Sequence, residues 1–204
     1  MGIPIPRDDD VERKMNSYKP STCAVFHRVT DRFGALSNMA DFPIRVNGIL
    51  IPTTEALYAA LRFPHLPDVQ KIIIDQKSPM SAKMKSKAHK HLSRPDWEDG
   101  VREIVMGWCL RVKLCQHTVK FGNVLKSTSA MPIVEESHKD RFWGAVRQDD
   151  GTLLGNNVLG TLLVNLRDEF LTHPSASNVV TPPDIDHALL YGTWISEVRR
   201  SKPL

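Results

Sequence analysis

The sequence predicts an α+β fold, mostly helical with a small β component, built as one compact domain. Three observations lead there. Ile44-Arg45-Val46-Asn47-Gly48-Ile49-Leu50-Ile51 sets an Asn-Gly pair, which supplies the two positive-φ positions of a type I′ turn, between short apolar runs; this is a strong local signal for a β-hairpin. Capped amphipathic stretches recur from Thr53 to Phe170 and outweigh the alternating segments. A length of 204 residues, with 41% hydrophobic and 25% charged residues, suits one domain with a sizeable core and excludes a disordered chain.

The elements follow in order. Residues 1–20 are polar and proline-punctuated and read as an N-terminal extension. Residues 21–171 form the domain, and 172–204 read as a Ser/Thr/Pro-rich loop and a C-terminal helix that packs back through Leu189, Leu190, Trp194 and Val198. Cys23 to Thr30 alternates loosely enough for a strand. After the hairpin, Thr53 or Thr54 caps a helix with Glu55 in its first turn, where the helix dipole favours an anion. That helix stops by Phe63, before Pro64 and Pro67. Ser78 caps the next, with Pro79 at its first position; Met80, Met84, Ala88 and Leu92 recur at i+4 spacing and are expected to face the core. Asp96 is expected to cap the longest helix, whose apolar set is Val101, Ile104, Val105, Trp108, Val112 and Cys115. Helices are also expected over Phe121 to Thr128 and Asn157 to Phe170.

Composition narrows the function classes. No apolar run approaches about 18 residues, so no membrane-spanning helix is expected. The first residues lack the apolar stretch of a secretion signal, and Pro6 stands where myristoylation of Gly2 requires Ser or Thr. Cys23, Cys109 and Cys115 form no C-x-x-C, which points to a reducing, cytoplasmic setting. The histidines show no metal-ligand spacing, His89 and His91 reading as surface residues, so neither metal nor cofactor is expected. The formal charge is +4, and from Lys77 to Arg94 there are six Lys or Arg and two His without one acid. That stretch is either a solvated helix face or a positive rim for phosphates or a nucleic-acid backbone.

The most informative chemistry lies in Asp140-Arg141-Phe142-Trp143-Gly144, with Glu135-Glu136 upstream and Gly155-Asn156-Asn157-Val158-Leu159-Gly160 downstream. Trp143 offers a flat stacking surface, and Gly144 allows a ligand close to the backbone. Asp140 either caps a turn or, lining a pocket, protonates a leaving base or activates water, with Glu135 and Glu136 as neighbouring alternatives. Glu55 either complements its helix dipole or stabilises positive charge developing at an anomeric carbon. Two carboxylates in one pocket can divide acid and base work. Lys83 is either a solvated helix lysine or an amine that traps an opened ribose as a Schiff base, provided desolvation or neighbouring cations keep it neutral part of the time. Trp97 either packs at a helix start or stacks on a base. Asn38, Asn157 and Arg102 can hold ribose hydroxyls or phosphates, though turn and cap roles fit the two Asn equally well. The free N–H groups at Val158-Leu159-Gly160 can meet a phosphate.

Six motifs taken together resemble the NADAR family, also called YbiA-like: Phe33-Gly34-Ala35-Leu36-Ser37-Asn38, Thr54 to Phe63, Ala82-Lys83, Arg94-Pro95-Asp96-Trp97, Asp140 to Gly144, and Asn157-Val158-Leu159-Gly160. The resemblance runs from about Phe26 to about Phe170. It implies one α+β domain and an N-glycosidase acting on ribose-linked bases, with functional residues at Glu55, Lys83, Trp97 and Trp143. It implies two substrate classes: ADP-ribose on guanine in nucleic acid, removed by antitoxins that oppose an ADP-ribosyltransferase toxin, and early riboflavin-pathway intermediates. Ala56, Leu57, Tyr58 and Ala59-Ala60 stand where relatives often carry aromatics and Gln-Ala. The Ser37-Asn38-Met39 and Glu55 to Tyr58 spellings look more like the antitoxin branch. A binding module that recognises ADP-ribose or NAD without chemistry is the remaining alternative.

Overall fold

The computed structural model describes residues 15–200. In chain order these form strands β1 (Asn16–Tyr18), β2 (Ala24–Phe26), β3 (Ile44–Val46) and β4 (Ile49–Ile51), then helices α1 (Thr54–Ala60), α2 (Pro67–Ile74), α3 (Pro79–Ala88), α4 (Arg102–Gln116) and α5 (Lys120–Ser127). Strands β5 (Ile133–Glu135), β6 (Val146–Arg147) and β7 (Leu153–Gly155) precede α6 (Val158–Thr172), and the chain ends in β8 (Val179–Val180), β9 (Leu189–Leu190), β10 (Thr193–Trp194) and β11 (Val198–Arg199). The α+β class, helical with small sheets, is as the sequence predicts.

The frame is α4, which is apolar on two faces because it is buried on two faces. Val105, Trp108, Cys109 and Val112 enter one core with β3, β4, α1 and α2. Met106, Leu110 and Leu114 enter a second core with Phe26, Phe33, Leu36, α5 and α6. The hairpin forms as expected, with Ile44 opposite Ile51 and Val46 opposite Ile49. Asn47 and Gly48 take φ of 50° and 77°. Strand β2 pairs in parallel with β5, Phe26 opposite Glu135, and so has beside it a segment more than a hundred residues away in the chain.

Several expectations are corrected. Asn16–Tyr18 of the supposed extension is a strand paired antiparallel to β7; residues 1–14 lie outside the described residues. Helix α2 was not anticipated, because Pro67 reads as a stop, yet it occupies the first helical turn, where its missing N–H costs nothing. The C-terminal helix is instead short strands: β9 turns into β10 through Tyr191 and Gly192, both at positive φ, and β11 pairs with β8. The segment does pack on the domain, since Leu190, Ile195 and Val198 are buried, but Trp194 is exposed. Asp96 accepts no capping hydrogen bond from the helix. Its carboxylate is taken by Arg94 at 2.5 and 2.8 Å, and a π-helical turn over Trp97–Val101, broken by Gly100 at φ 97°, leads into α4. Ile104, expected in the core, is exposed.

Helix α3 is rotated from the expected register. Ser78 does cap it, accepting the Ser81 N–H at 3.1 Å. Its buried residues, however, are Ala82 and Ser86, whose small side chains let the helix lie close to α1 and α2. Met80 and Met84 are left outside, 56% and 58% exposed.

Two glycines test the packing. A Cβ on Gly160, in the first turn of α6, would sit 2.0 Å from the Ile133 carbonyl oxygen. Gly160→Ala is therefore expected to lower stability by about 3 kcal/mol or to prevent folding. A Cβ on Gly107 in α4 meets only Leu162 Cδ2 at 3.6 Å, so Gly107→Ala is expected to stabilise by about 0.5–1 kcal/mol. Thermal and urea denaturation of the two variants checks both.

Candidate active site

The site grows from strand β5, which ends on Glu135. One edge of β5 is completed by a side chain: Asn157 Oδ1 accepts the Glu135 N–H at 3.1 Å, and Asn157 Nδ2 donates to the Ile133 carbonyl at 2.8 Å. Asn157 is held for this at φ 50°. The turn over 137–143 closes above. Asp140 Oδ1 accepts the N–H groups of Phe142 and Trp143, both at 2.9 Å, and the Asp140 N–H donates to Ser137 Oγ at 3.1 Å. The opening N–H groups of α6 then bond this turn, Val158 to Phe142 O and Leu159 to Trp143 O, each at 3.0 Å.

Opposite β5, the first turn of α1 delivers Glu55. Thr53 Oγ1 caps α1 by accepting the Ala56 N–H at 3.2 Å. The Glu55 N–H reaches Asn38 O at 2.9 Å, and Asn38 Nδ2 donates to Glu55 Oε2. Asn38 is fixed from behind by Lys113. That lysine is fully buried in α4, donates to the carbonyls of Ala35 and Ser37 at 2.7 and 2.8 Å, and lies 4.5 Å from the centres of the Phe42 and Phe121 rings. Burial holds its amine well below the usual lysine range.

Between these elements lies a cleft of about 390 Å³. Glu55, Glu98, Glu135 and Asp140 are its acids; Tyr58, Trp97 and Trp143 its aromatic residues; Lys83, Lys87, Lys90 and Arg62 line its border, where Arg62 pairs with Glu98 at 3.6 Å. Tyr58 links the two tryptophans, its ring 5.1 Å from Trp97 and 5.6 Å, edge to face, from Trp143. Glu55 is only 4% exposed. Burial raises its pKa, and the charge of Asp140 adds to that, while Lys83 and the Asn38 amide oppose it. Glu135 is pushed up to about 7 by burial, with Lys83 opposing and Glu55 and Asp140 reinforcing. Burial also raises Tyr58 well above the phenol range, so its hydroxyl stays protonated at neutral pH.

The structure thus brings together Glu55, Lys83, Asp140, Trp97, Trp143 and Asn38 around one cleft, and sets three other candidates behind it. A Cβ on Gly144 would lie 2.5 Å from Glu135 O, so this glycine is there for the close approach of β5 and does not line the cleft. Asn157, 2% exposed, holds β5. Arg102 pairs with Glu98 and covers the Phe142 ring at 3.8 Å, backing the Trp143 wall. The N–H groups at Val158 and Leu159 are consumed by the turn, which removes them as phosphate donors. Lys83 is exposed; its charge acts on the Glu55 and Glu135 carboxyls, and of the neighbouring cations Lys87 lines the same cleft while Lys85 does not. Glu135 was visible only as a neighbour of Asp140; its burial, which depends on segments distant in the chain, is what raises it. Tyr58 and Arg62 carried no signal beyond their proximity to Glu55.

Glu135 links the site to stability. Between its ordinary value of 4.5 and about 7, the folded state keeps a proton that the unfolded chain has lost, so stability falls as pH rises through that window. Glu135→Gln is expected to raise stability near pH 8 by on the order of 1–3 kcal/mol and to change little near pH 4. Denaturation at both pH values measures this.

A family model described as the NADAR domain matches residues 25–171. N-glycosidase YbiA of Escherichia coli (strain K12) is 33% identical over 147 residues, covering 71% of this chain and 86% of that protein. A riboflavin biosynthesis protein of Vibrio vulnificus is 30% identical over 169 residues, covering 83% of this chain and 43% of its own. The NMR structure of Escherichia coli YbiA superposes with a TM-score of 0.65 at 32% identity, covering 75% of this chain and 87% of the other.

Proposed function

The chain belongs to the NADAR family, and from that premise we propose that it is an N-glycosidase that removes ADP-ribose from guanine bases in nucleic acid, acting as the antitoxin to a DNA ADP-ribosyltransferase. The N-glycosidase activity rests on the relatives named for it. One observation carries the reading to this chain: two carboxyl groups, Glu55 and Glu135, are held up in pKa by burial in a cleft that is aromatic on one side and cationic at its border. Such a cleft suits a planar base, a ribose and phosphates at once. Stacking on Trp143 is typically worth about 1–3 kcal/mol per base, while Trp97, 3% exposed, packs in the core behind Tyr58. The preference for a nucleic-acid substrate is supported by Lys87 and Lys90, which line the cleft border beside Lys83 and add positive charge there beyond Arg62, whose guanidinium pairs with Glu98.

In this mechanism the Glu135 carboxyl gives its proton to the departing base as the bond from the anomeric carbon to nitrogen breaks, the bonding pair leaving with the base. Glu55, steadied by Asn38, faces the positive charge that builds on the sugar. The Lys83 amine, having passed a proton to a neighbouring carboxylate, adds to the anomeric carbon. The ribose ring oxygen then leaves as a hydroxyl to give an imine, and water releases the sugar and returns the amine. Asp140, whose Oδ1 is engaged by the turn, acts through position and charge, so the proton transfer that sequence reasoning assigned to it passes to Glu135.

Mass spectrometry after mixing the protein with guanine-ADP-ribosylated single-stranded DNA, with and without borohydride, tests the proposal. Released ADP-ribose and a borohydride-trapped adduct on Lys83 are expected. Release without an adduct keeps the activity and moves the chemistry to the carboxylates with water as nucleophile. No release overturns the nucleic-acid substrate. Glu135→Gln is expected to lower kcat by about 10²–10⁴-fold, and kcat of the unaltered protein is expected to fall as pH rises past about 7.

The relatives named for riboflavin biosynthesis favour a second reading, cleavage of an aminopyrimidine ribose phosphate; steady-state rates on that compound against modified DNA separate the two. Tight ADP-ribose binding without turnover of any glycoside would instead mark a binding module.

A further inference from the structure

Among the described residues, the exposed face of α3 carries apolar side chains that the packing of the domain leaves unexplained. With about 3.6 residues per turn, the residues of α3 fall in a definite order around its axis. Ala82 and Ser86 face the domain. Next come Lys83 and Lys87, which border the cleft. Beside them, turned outward, are Met80 and Met84, more than half exposed, and on the far flank stands exposed Lys85. Two thioether side chains therefore stand in solvent with the Lys83–Lys87 pair on one side and the single Lys85 on the other, directly outside the cleft. No acidic residue occurs from Lys77 to Arg94. Solvated methionines contribute nothing to the core, and a ligand that covers them has to be anionic and to carry apolar faces.

Resting on the nucleic-acid reading above, we propose that this face of α3 is the track for the nucleotides that flank the modified base in a single strand, with Met80 and Met84 under neighbouring bases and Lys87 and Lys85 on the phosphates. Three features select this occupant. The face is continuous with the cleft, and a strand with one base in the cleft has to lay its neighbours against the adjoining surface. The alternation of lysine, methionine and lysine across the helix matches a ligand whose anionic backbone and apolar rings run side by side. The polarisable methionine sulfur makes favourable contacts with aromatic rings, and stacking of unpaired bases tolerates any sequence. The ten residues of α3 span about 15 Å, room for a few nucleotides. A duplex would present its bases to each other and not to the methionines.

The test compares two substrates on the intact chain: a single-stranded oligonucleotide bearing one ADP-ribosylated guanine with nucleotides on both sides, and the ADP-ribosylated guanosine alone. The variants are the pair Met80→Gln with Met84→Gln, and separately Lys85→Gln; all three positions lie outside the cleft and on the solvent face, and thermal denaturation verifies the fold. The methionine pair is expected to lose roughly tenfold in kcat/KM on the oligonucleotide, mostly through KM, and nothing on the nucleoside. Lys85→Gln is expected to flatten the dependence of log kcat/KM on log salt by about 0.7. Equal losses on both substrates, or none on the oligonucleotide, overturn the track. If neither substrate is turned over, the function reading fails separately. The track is then read by fluorescence anisotropy of an unmodified labelled oligonucleotide, where weaker binding by the methionine variant supports it. Unchanged or absent binding overturns it, as does a face that takes an acidic peptide in preference.

Discussion

The site depends on one backbone edge that has to be satisfied. Strand β5 is only three residues long and buried, and its Ile133 carbonyl and Glu135 N–H would each cost free energy without a partner. Parallel pairing with β2 serves one side. On the other, the Asn157 amide stands in for a strand neighbour, and the rest of the architecture is arranged so that it can. Asn157 adopts a left-handed backbone to turn its side chain inward. Gly144 and Gly160 have no Cβ because Glu135 O and Ile133 O occupy that space. The first N–H groups of α6 bond the carbonyls of the Phe142–Trp143 turn. One clasp thus fixes Glu135, the aromatic wall and the start of a helix in a single rigid unit.

The second organising feature is a gradient of charge across the cleft. Glu55 and Glu135 lie at the bottom, where desolvation favours the neutral acid, and Lys83, Lys87 and Lys90 stand at the border with the Arg62–Glu98 pair. Lys83 sits between, exposed yet close enough to lower both Glu55 and Glu135 against burial. Protonation at the bottom and attraction at the mouth are therefore separated by depth rather than by residue type. The same gradient extends outward over α3, where lysines continue beyond the cleft on either side of the exposed methionines.

Behind the cleft a buried lysine does structural work. Lys113 ties down the carbonyls of Ala35 and Ser37 and is sandwiched between Phe42 and Phe121. The loop it secures carries Asn38, whose carbonyl and amide grip Glu55 at both backbone and side chain. Burying a lysine is costly, and the two carbonyls and two rings offset part of that cost by fixing a unique path for this loop.

The sequence by itself determined what local chemistry decides. Asn47-Gly48 forced a hairpin, Thr53 and Ser78 capped their helices, and the pattern of α4 demanded burial, because turns and caps are settled within a few residues. It also singled out Glu55, Lys83, Asp140, Trp97, Trp143 and Asn38, which the fold gathers at one cleft. What only the tertiary structure decided is which way ambiguous segments face and which acid is buried. The i+4 methionines of α3 obey helical periodicity, yet the smaller Ala82 and Ser86 pack closer and turn them outward. The apolar residues of the C-terminal segment fit a helix, yet they pair as strands with partners present only in the folded chain. Glu135 looked like any solvated acid beside Glu136, and it became the titrating group near neutrality because β2, Asn157 and the turn over 137–143 enclose it. Periodicity and capping act along the chain, whereas desolvation is a property of the neighbours that folding brings together.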